Sequence, residues 1–226
     1  IQISSIKNLI EEKIKVHIKD IIGCGLSEAV SATKTGAIGI LGTERTIESR
    51  SHEDAILSLN DKIIVFGQPC QRWVGLVNDG DVDSMKAREY VKEDILVLLS
   101  KKKKTNKKIF YGRDIDTFFL ACTHFPFLYH TIEAVTKSPE IGKEFNLIDP
   151  ARSFAETTFS SLLNLGVLRE GKTRFFFSFT EKLNPETYSM VQNFLGLKFR
   201  PRTIRLEEET WEGILTNWGK WWKIKI

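Results

Sequence analysis

The chain has 226 residues, 42% of them hydrophobic and 27% charged, which suits one large or two small globular domains. Its longest apolar runs, such as Ile63-Ile64-Val65-Phe66, are too short to cross a bilayer as a helix, and the charged opening stretch does not read as a secretory signal. The net charge of +4 is mild, and three cysteines (Cys24, Cys70, Cys122) are too few for a disulfide framework, so a reducing, cytoplasmic setting is expected.

Short apolar runs alternate with helical patterns, which predicts repeated β-α units around a parallel sheet. Ile3, Ile6, Ile10, Ile14 and Ile18 keep a helical spacing and predict an opening amphipathic helix. Ile21-Ile22-Gly23 reads as a brief strand, followed by a short helix capped by Ser27 and ending near Gly36. Residues 37–41 read as a strand running into Gly42-Thr43, with a helix through Ile47. Residues 62–66 are a further strand, closed by Gly67 and Pro69, and helices are expected near 74–77 and over 86–99. Six lysines crowd residues 100–108, without the interleaved aromatics that a single-strand nucleic-acid binder uses. They read as a solvated helix end or loop, and no nucleic-acid partner is expected.

Residues 117–121 form the next expected strand, ending on Cys122-Thr123-His124, with a helix over 126–136. A strand at 146–148, a helix at 153–165, and strands at 173–179 and 203–207 around a helix at 185–195 complete the body. In the tail, Trp211, Ile214, Leu215, Trp218 and Trp222 recur at helical spacing with lysines nearby. That pattern suits a helix docked on the body or a partner, or one lying on a membrane surface; Gly213 and Gly219 weaken it as a free helix.

The chemistry concentrates in Phe118-Phe119-Leu120-Ala121-Cys122-Thr123-His124-Phe125-Pro126-Phe127-Leu128. An apolar strand delivers Cys122 to its C-terminal end, where ligands of open α/β sheets bind. A helix start there lowers a thiol's pKa from about 8.5 toward neutrality, making a thiolate available. Thr123 can donate to a carboxylate and His124 can exchange a proton with the sulfur. By spacing alone, a lone cysteine on an apolar strand is more often a small buried hydrophobe.

Leu120-Ala121-Cys122-Thr123-His124-Phe125-Pro126 resembles L-G-C-T-H-Y-P, the second cysteine motif of the glutamate racemases. Upstream, residues 38–49 (IGILGTERTIES) are similar to that family's I-G-V-I-G-T-x-x-T-I-x-S, and residues 69–80 (PCQRWVGLVNDG) to C-P-L-F-V-P-L-V-E-E-G. Leu147-Ile148-Asp149-Pro150-Ala151 stands where the family has a strand ending in Asp-Ser, and the last strand pair matches its closing β-α-β. These segments keep the family's order across roughly residues 20–208.

The resemblance implies an α/β fold of the Asp/Glu racemase type with two lobes. It implies a two-thiol interconversion of L- and D-glutamate, supplying D-glutamate for peptidoglycan. It assigns Cys122 and His124 as catalytic and Thr123, His124, Thr43 and Thr46 as substrate-binding. No cofactor and no metal are expected. The expected partners are the small-molecule substrate and a second copy of the chain in a homodimer.

Departures from the pattern are informative. The family's first cysteine lies in C-N-T-A after a D-S-G-x-G-G strand end, and neither string occurs here. Asn78 stands where the family has a glutamate beside the histidine, and Gln71 and Gly75 replace prolines. With Ile at position 1, the expectation is a chain starting just after the first cysteine motif, its first lobe incomplete and its activity alone in question. On that map residues 1–20 and 168–210 belong to the incomplete lobe, 21–167 form the intact lobe, and 211–226 are a separate tail.

Overall fold

The computed structural model describes residues 20–104, 109–164 and 166, and further on residues 178–179, 185, 188, 192 and 202–203. The chain divides into two compact units, Ile1–Arg169 and Glu170–Ile226.

The first unit is built on a four-stranded parallel sheet in the order β2-β1-β5-β6, with β1 Ala37–Gly42, β2 Ile64–Pro69, β5 Thr117–Leu120 and β6 Asn146–Ile148. Every residue of β1 and β5 is buried, as expected of central parallel strands covered on both faces. Alternation sorts the side chains. Leu41, Phe118 and Leu120 enter one core with Trp73, Ile95 and Ile132, while Ile38, Ile40 and Phe119 enter a second with Leu26 and Ile56.

The second face carries α1 (Ile21–Ala32), α3 (Ser51–Leu59) and α7 (Pro150–Asn164), and the short α2 (Glu44–Glu48) follows β1 directly. The first face carries α4 (Gln71–Asn78), α5 (Met85–Ser100) and α6 (Tyr129–Thr136). Ser84 caps α5 by accepting from the Ala87 N–H, satisfying one of the orphan donors of the first turn.

Three expectations are corrected. Residues 21–23 are the first turn of α1 and not a strand, because the Asp20 carboxylate accepts the Gly23 N–H as an N-cap. Glycine at 25 is tolerated inside that helix because a Cβ there would stand 2.9 Å from the Phe119 ring and 3.0 Å from Pro150, so close packing outweighs propensity. The strand expected at 62–66 runs Ile64–Pro69, since Gly67 sits within it, while Pro69 is its last residue as expected. The helix expected over 126–136 divides into a 3-10 turn, Phe125–Leu128, and α6.

The lysine run is also more than a solvated loop. Lys102–Lys104 form β3, antiparallel to β4 (Ile109–Tyr111), and the lysines alternate in exposure. Lys101 Nζ donates to the carbonyl of Gly67 at 2.5 Å, and Lys103 Nζ to that of Val65 at 3.2 Å and to Glu53. Two ammonium groups thus occupy alternate carbonyls on the outer edge of β2, the edge strand of the sheet.

In the second unit, β7 (Ser178–Phe179) pairs in parallel with β8 (Arg202–Thr203), and Gln192 Nε2 donates to Tyr188 Oη at 2.8 Å. The expected opening helix over 1–20, apart from residue 20, and the Trp/Lys tail over 211–226 lie outside the described residues. So do most of the closing strands and helix expected over 173–207.

Candidate active site

The C-terminal ends of the four parallel strands bring the candidate residues to one edge of the sheet. β1 delivers Gly42-Thr43, β2 delivers Pro69-Cys70, β5 delivers Ala121-Cys122 and β6 delivers Asp149. The register pairs Leu41 with Leu120, so Thr43 and Cys122 each follow by two residues on adjacent strands. Backbone bonds continue beyond the strands: Ala121 N–H donates to Leu41 O at 2.8 Å and Cys70 N–H to Gly42 O at 2.7 Å.

Thr43 is the N-cap of α2. Its hydroxyl accepts the Thr46 N–H and shares a 2.8 Å hydrogen bond with the Thr46 hydroxyl. The close approach of α2 favours glycine at 42, where a Cβ would lie 3.1 Å from Thr46 Cγ2 and press that side chain aside. Gln71, at the start of α4, accepts the Glu44 N–H through Oε1 at 3.4 Å and ties α4 to the same turn.

Cys122 is half-buried, with Sγ 3.6 Å from His124 Nδ1; Thr123 between them is exposed. The lowered thiol pKa expected from a helix start is corrected here. Burial pushes the Cys122 thiol up, and the backbone N–H groups of His124 and Phe125, which favour the thiolate, offset this only in part. The reason is structural: the strand end that carries the cysteine packs against the core, and the two backbone donors do not make up for the water lost there.

Cys70 is fully buried. Burial first, then the nearby Asp94 carboxylate, push its thiol well above the ordinary range, and Sγ donates to Gln68 O at 3.4 Å. Cys24 lies on α1, where the Thr157 hydroxyl donates to its sulfur at 3.3 Å. Asn78 closes α4 in an exposed position. All three thiols are free, and the described residues hold no cluster of histidines, cysteines and carboxylates suited to a metal.

The residues that sequence reasoning missed lie beneath the cysteine loop. Trp73 and Phe125 are fully buried and meet with ring centroids 4.9 Å apart at 51°. Arg72 bridges Glu93 at 2.8 Å and the buried Asp94 at 3.0 Å, and lies 4.3 Å over the Tyr90 ring. The only signal in sequence was an aromatic three residues beyond each strand-end cysteine, a spacing that ordinary core helices share.

A parallel α/β sheet with a thiol, a histidine and threonine hydroxyls at its strand ends has the fold of solved glutamate racemases. A glutamate racemase isoform from Bacillus anthracis superposes with a TM-score of 0.71 at 24% identity, covering 88% of this chain and 68% of that one. The glutamate racemase of Francisella tularensis, solved with D-glutamate, gives 0.66 at 22%, covering 91% and 70%.

In sequence the chain is similar to curated glutamate racemases. It is 33% identical over 158 residues to the glutamate racemase of Desulforudis audaxviator, covering 70% of this chain and 52% of the relative. Glutamate racemase 2 of Caldanaerobacter subterraneus matches at 31% over 173 residues, 74% of this chain and 58% of the relative. The chain therefore spans just over half the length of these curated relatives. No family model matches it.

Proposed function

We propose that this chain carries the Cys122 side of a cofactor-independent glutamate racemase site. One observation carries the reading. In a chain similar to curated glutamate racemases, the Cys122 sulfur sits 3.6 Å from His124 Nδ1 at the end of a buried central strand, next to the strand that ends in the Thr43–Thr46 hydroxyl pair.

The chemistry follows from these groups. The α-proton of an amino acid is very weakly acidic, so its removal needs a positioned base and donors to the carboxylate, where negative charge develops. Thr123, Thr43 and Thr46 supply hydroxyl donors for the substrate's carboxylates. His124 takes the Cys122 proton, and the thiolate then removes the α-proton from the face it reaches. Pairing with a histidine suits a thiol whose burial disfavours the free anion.

Inversion requires a proton from the opposite face. Cys70 is fully buried, and neither it nor Cys24 lies in a C-N-T-A context. On this reading Cys122 serves one face of the α-carbon, so the 226 residues by themselves are expected to exchange the α-hydrogen without inverting it. A second reading, a non-catalytic remnant of the same fold, is favoured by Asn78 in place of the family glutamate.

Incubating the purified chain with L-glutamate in D₂O separates these readings. Deuterium uptake with retained chirality, abolished in Cys122→Ser, is expected. Uptake that persists in Cys122→Ser, or no glutamate binding by calorimetry, would sink the assignment. Robust D-glutamate formation would mean that Cys24, Cys70 or another group serves the second face.

A further inference from the structure

The loop that holds Cys122 is supported from below by residues that no step of the proposed reaction uses. Phe125 is fully buried, and its ring packs on that of Trp73, the third residue of α4. Its backbone N–H donates to Cys122 O at 3.1 Å and also lies within reach of the sulfur, where it favours the thiolate. The buried ring and this backbone bond together anchor the short turn from Cys122 to Phe125. A buried ring held on one side by another aromatic has little freedom to tilt, and such pairs contribute beyond their buried area.

Trp73 is itself held. Cys70 N–H to Gly42 O pins the entrance to α4 at 2.7 Å, and Arg72 clamps the first turn to Glu93 and Asp94 of α5. The indole Nε1 and the second Asp94 oxygen are both buried without a well-formed hydrogen bond, yet Trp73 lies close enough to help hold the Asp94 carboxyl down against its burial. The chain of contact runs from α5 through α4 and the aromatic pair to the sulfur.

We propose that Trp73 is a positioning residue for Cys122, its ring fixing Phe125 and with it the Cys122–Phe125 turn that holds the sulfur beside His124. This rests on Cys122 being the working thiol of the proposed function, but it can be read without turnover. The charged and titratable groups around this assembly are His124 beside the sulfur, Arg72 and Cys70 at the start of α4, and Glu93, Asp94 and Lys101 on and just after α5.

The test is the pH dependence of Cys122 alkylation by iodoacetamide in the full chain, followed by peptide mass spectrometry so that the three cysteines are read separately. Trp73→Leu should move the Cys122 midpoint upward and slow labelling at neutral pH by about three- to tenfold, since the rate follows the thiolate fraction. Trp73→Phe should restore most of the rate, because a ring remains against Phe125. Phe125→Leu should reproduce the Trp73→Leu shift and decides the matter if Trp73→Leu fails to melt cooperatively.

An unchanged midpoint in a folded Trp73→Leu or Phe125→Leu chain overturns the inference, as does a Trp73→Phe chain as impaired as Trp73→Leu. Deuterium uptake into glutamate that persists in Cys122→Ser would count against the proposed function. The shift in labelling midpoint between the Trp73 and Phe125 variants would still decide the role of Trp73.

Discussion

Replacing Asp116 by Ala should destabilise the first unit by about 2 kcal/mol without touching the strand-end site. Asp116 lies just before β5, at the opposite end of that strand from Cys122. Its carboxylate accepts from the Thr33 hydroxyl at 2.7 Å, Lys34 N–H at 2.7 Å, Thr35 N–H at 2.9 Å and the Thr117 hydroxyl at 3.0 Å. It thereby staples the turn between α1 and β1 to β5. The two backbone donors are solvent-exposed and regain water, so they contribute little. The two hydroxyls, with Thr117 fully buried, lose about 1 kcal/mol each. The charge itself adds only modestly, because the carboxylate is partly exposed and water screens it.

The pH dependence gives a second check. Burial pushes this carboxyl up, but the four hydrogen bonds outweigh it and hold it below the ordinary Asp range. A carboxyl depressed in the folded state contributes stability that is present above its unfolded pKa, near 3.9, and is lost as pH falls through its folded value. The gap between wild type and Asp116→Asn should therefore be full at neutral pH and shrink below about pH 4. Thermal melts followed by circular dichroism measure both effects, with roughly 4–8 °C expected for Asp116→Ala at neutral pH. A melting temperature within about 1 °C of wild type, or a gap that does not change between neutral and acidic pH, would refute the argument.

Two further outcomes follow from the same structure. Lys101→Met with Lys103→Met removes the ammonium groups that occupy the Gly67 and Val65 carbonyls, so the bare edge of β2 should self-associate, seen as a higher mass than wild type by light scattering; an unchanged mass would show the edge to be protected otherwise. His52 packs against Phe119 with Nδ1 buried and unpartnered, and burial lowers its pKa. The unfolded chain therefore takes up that proton first, so stability should fall as pH drops through about 6.5, and His52→Phe should flatten this part of the stability profile measured by urea titration.

Much of this protein was legible in order along the chain. The apolar runs at 37–41 and 117–121 are the β1 and β5 strands, because buried parallel strands must be apolar on both faces and declare themselves locally. The motif around Cys122 was legible because its residue types and their order carry the resemblance. The errors came where packing overrides local preference. Residues 21–23 are helical because Asp20 caps them and Phe119 and Pro150 leave room only for glycine at 25.

What the sequence alone determined is the alternation of strands and helices and the candidate chemistry at one strand end. Only the tertiary structure placed Thr43 and Cys122 on neighbouring strands, turned Lys101 and Lys103 onto the β2 edge, and set Trp73 under Phe125. It also reversed the sense of the thiol's shift. Strand order and burial depend on residues far apart in the chain, and no local pattern encodes how much water they exclude from one sulfur.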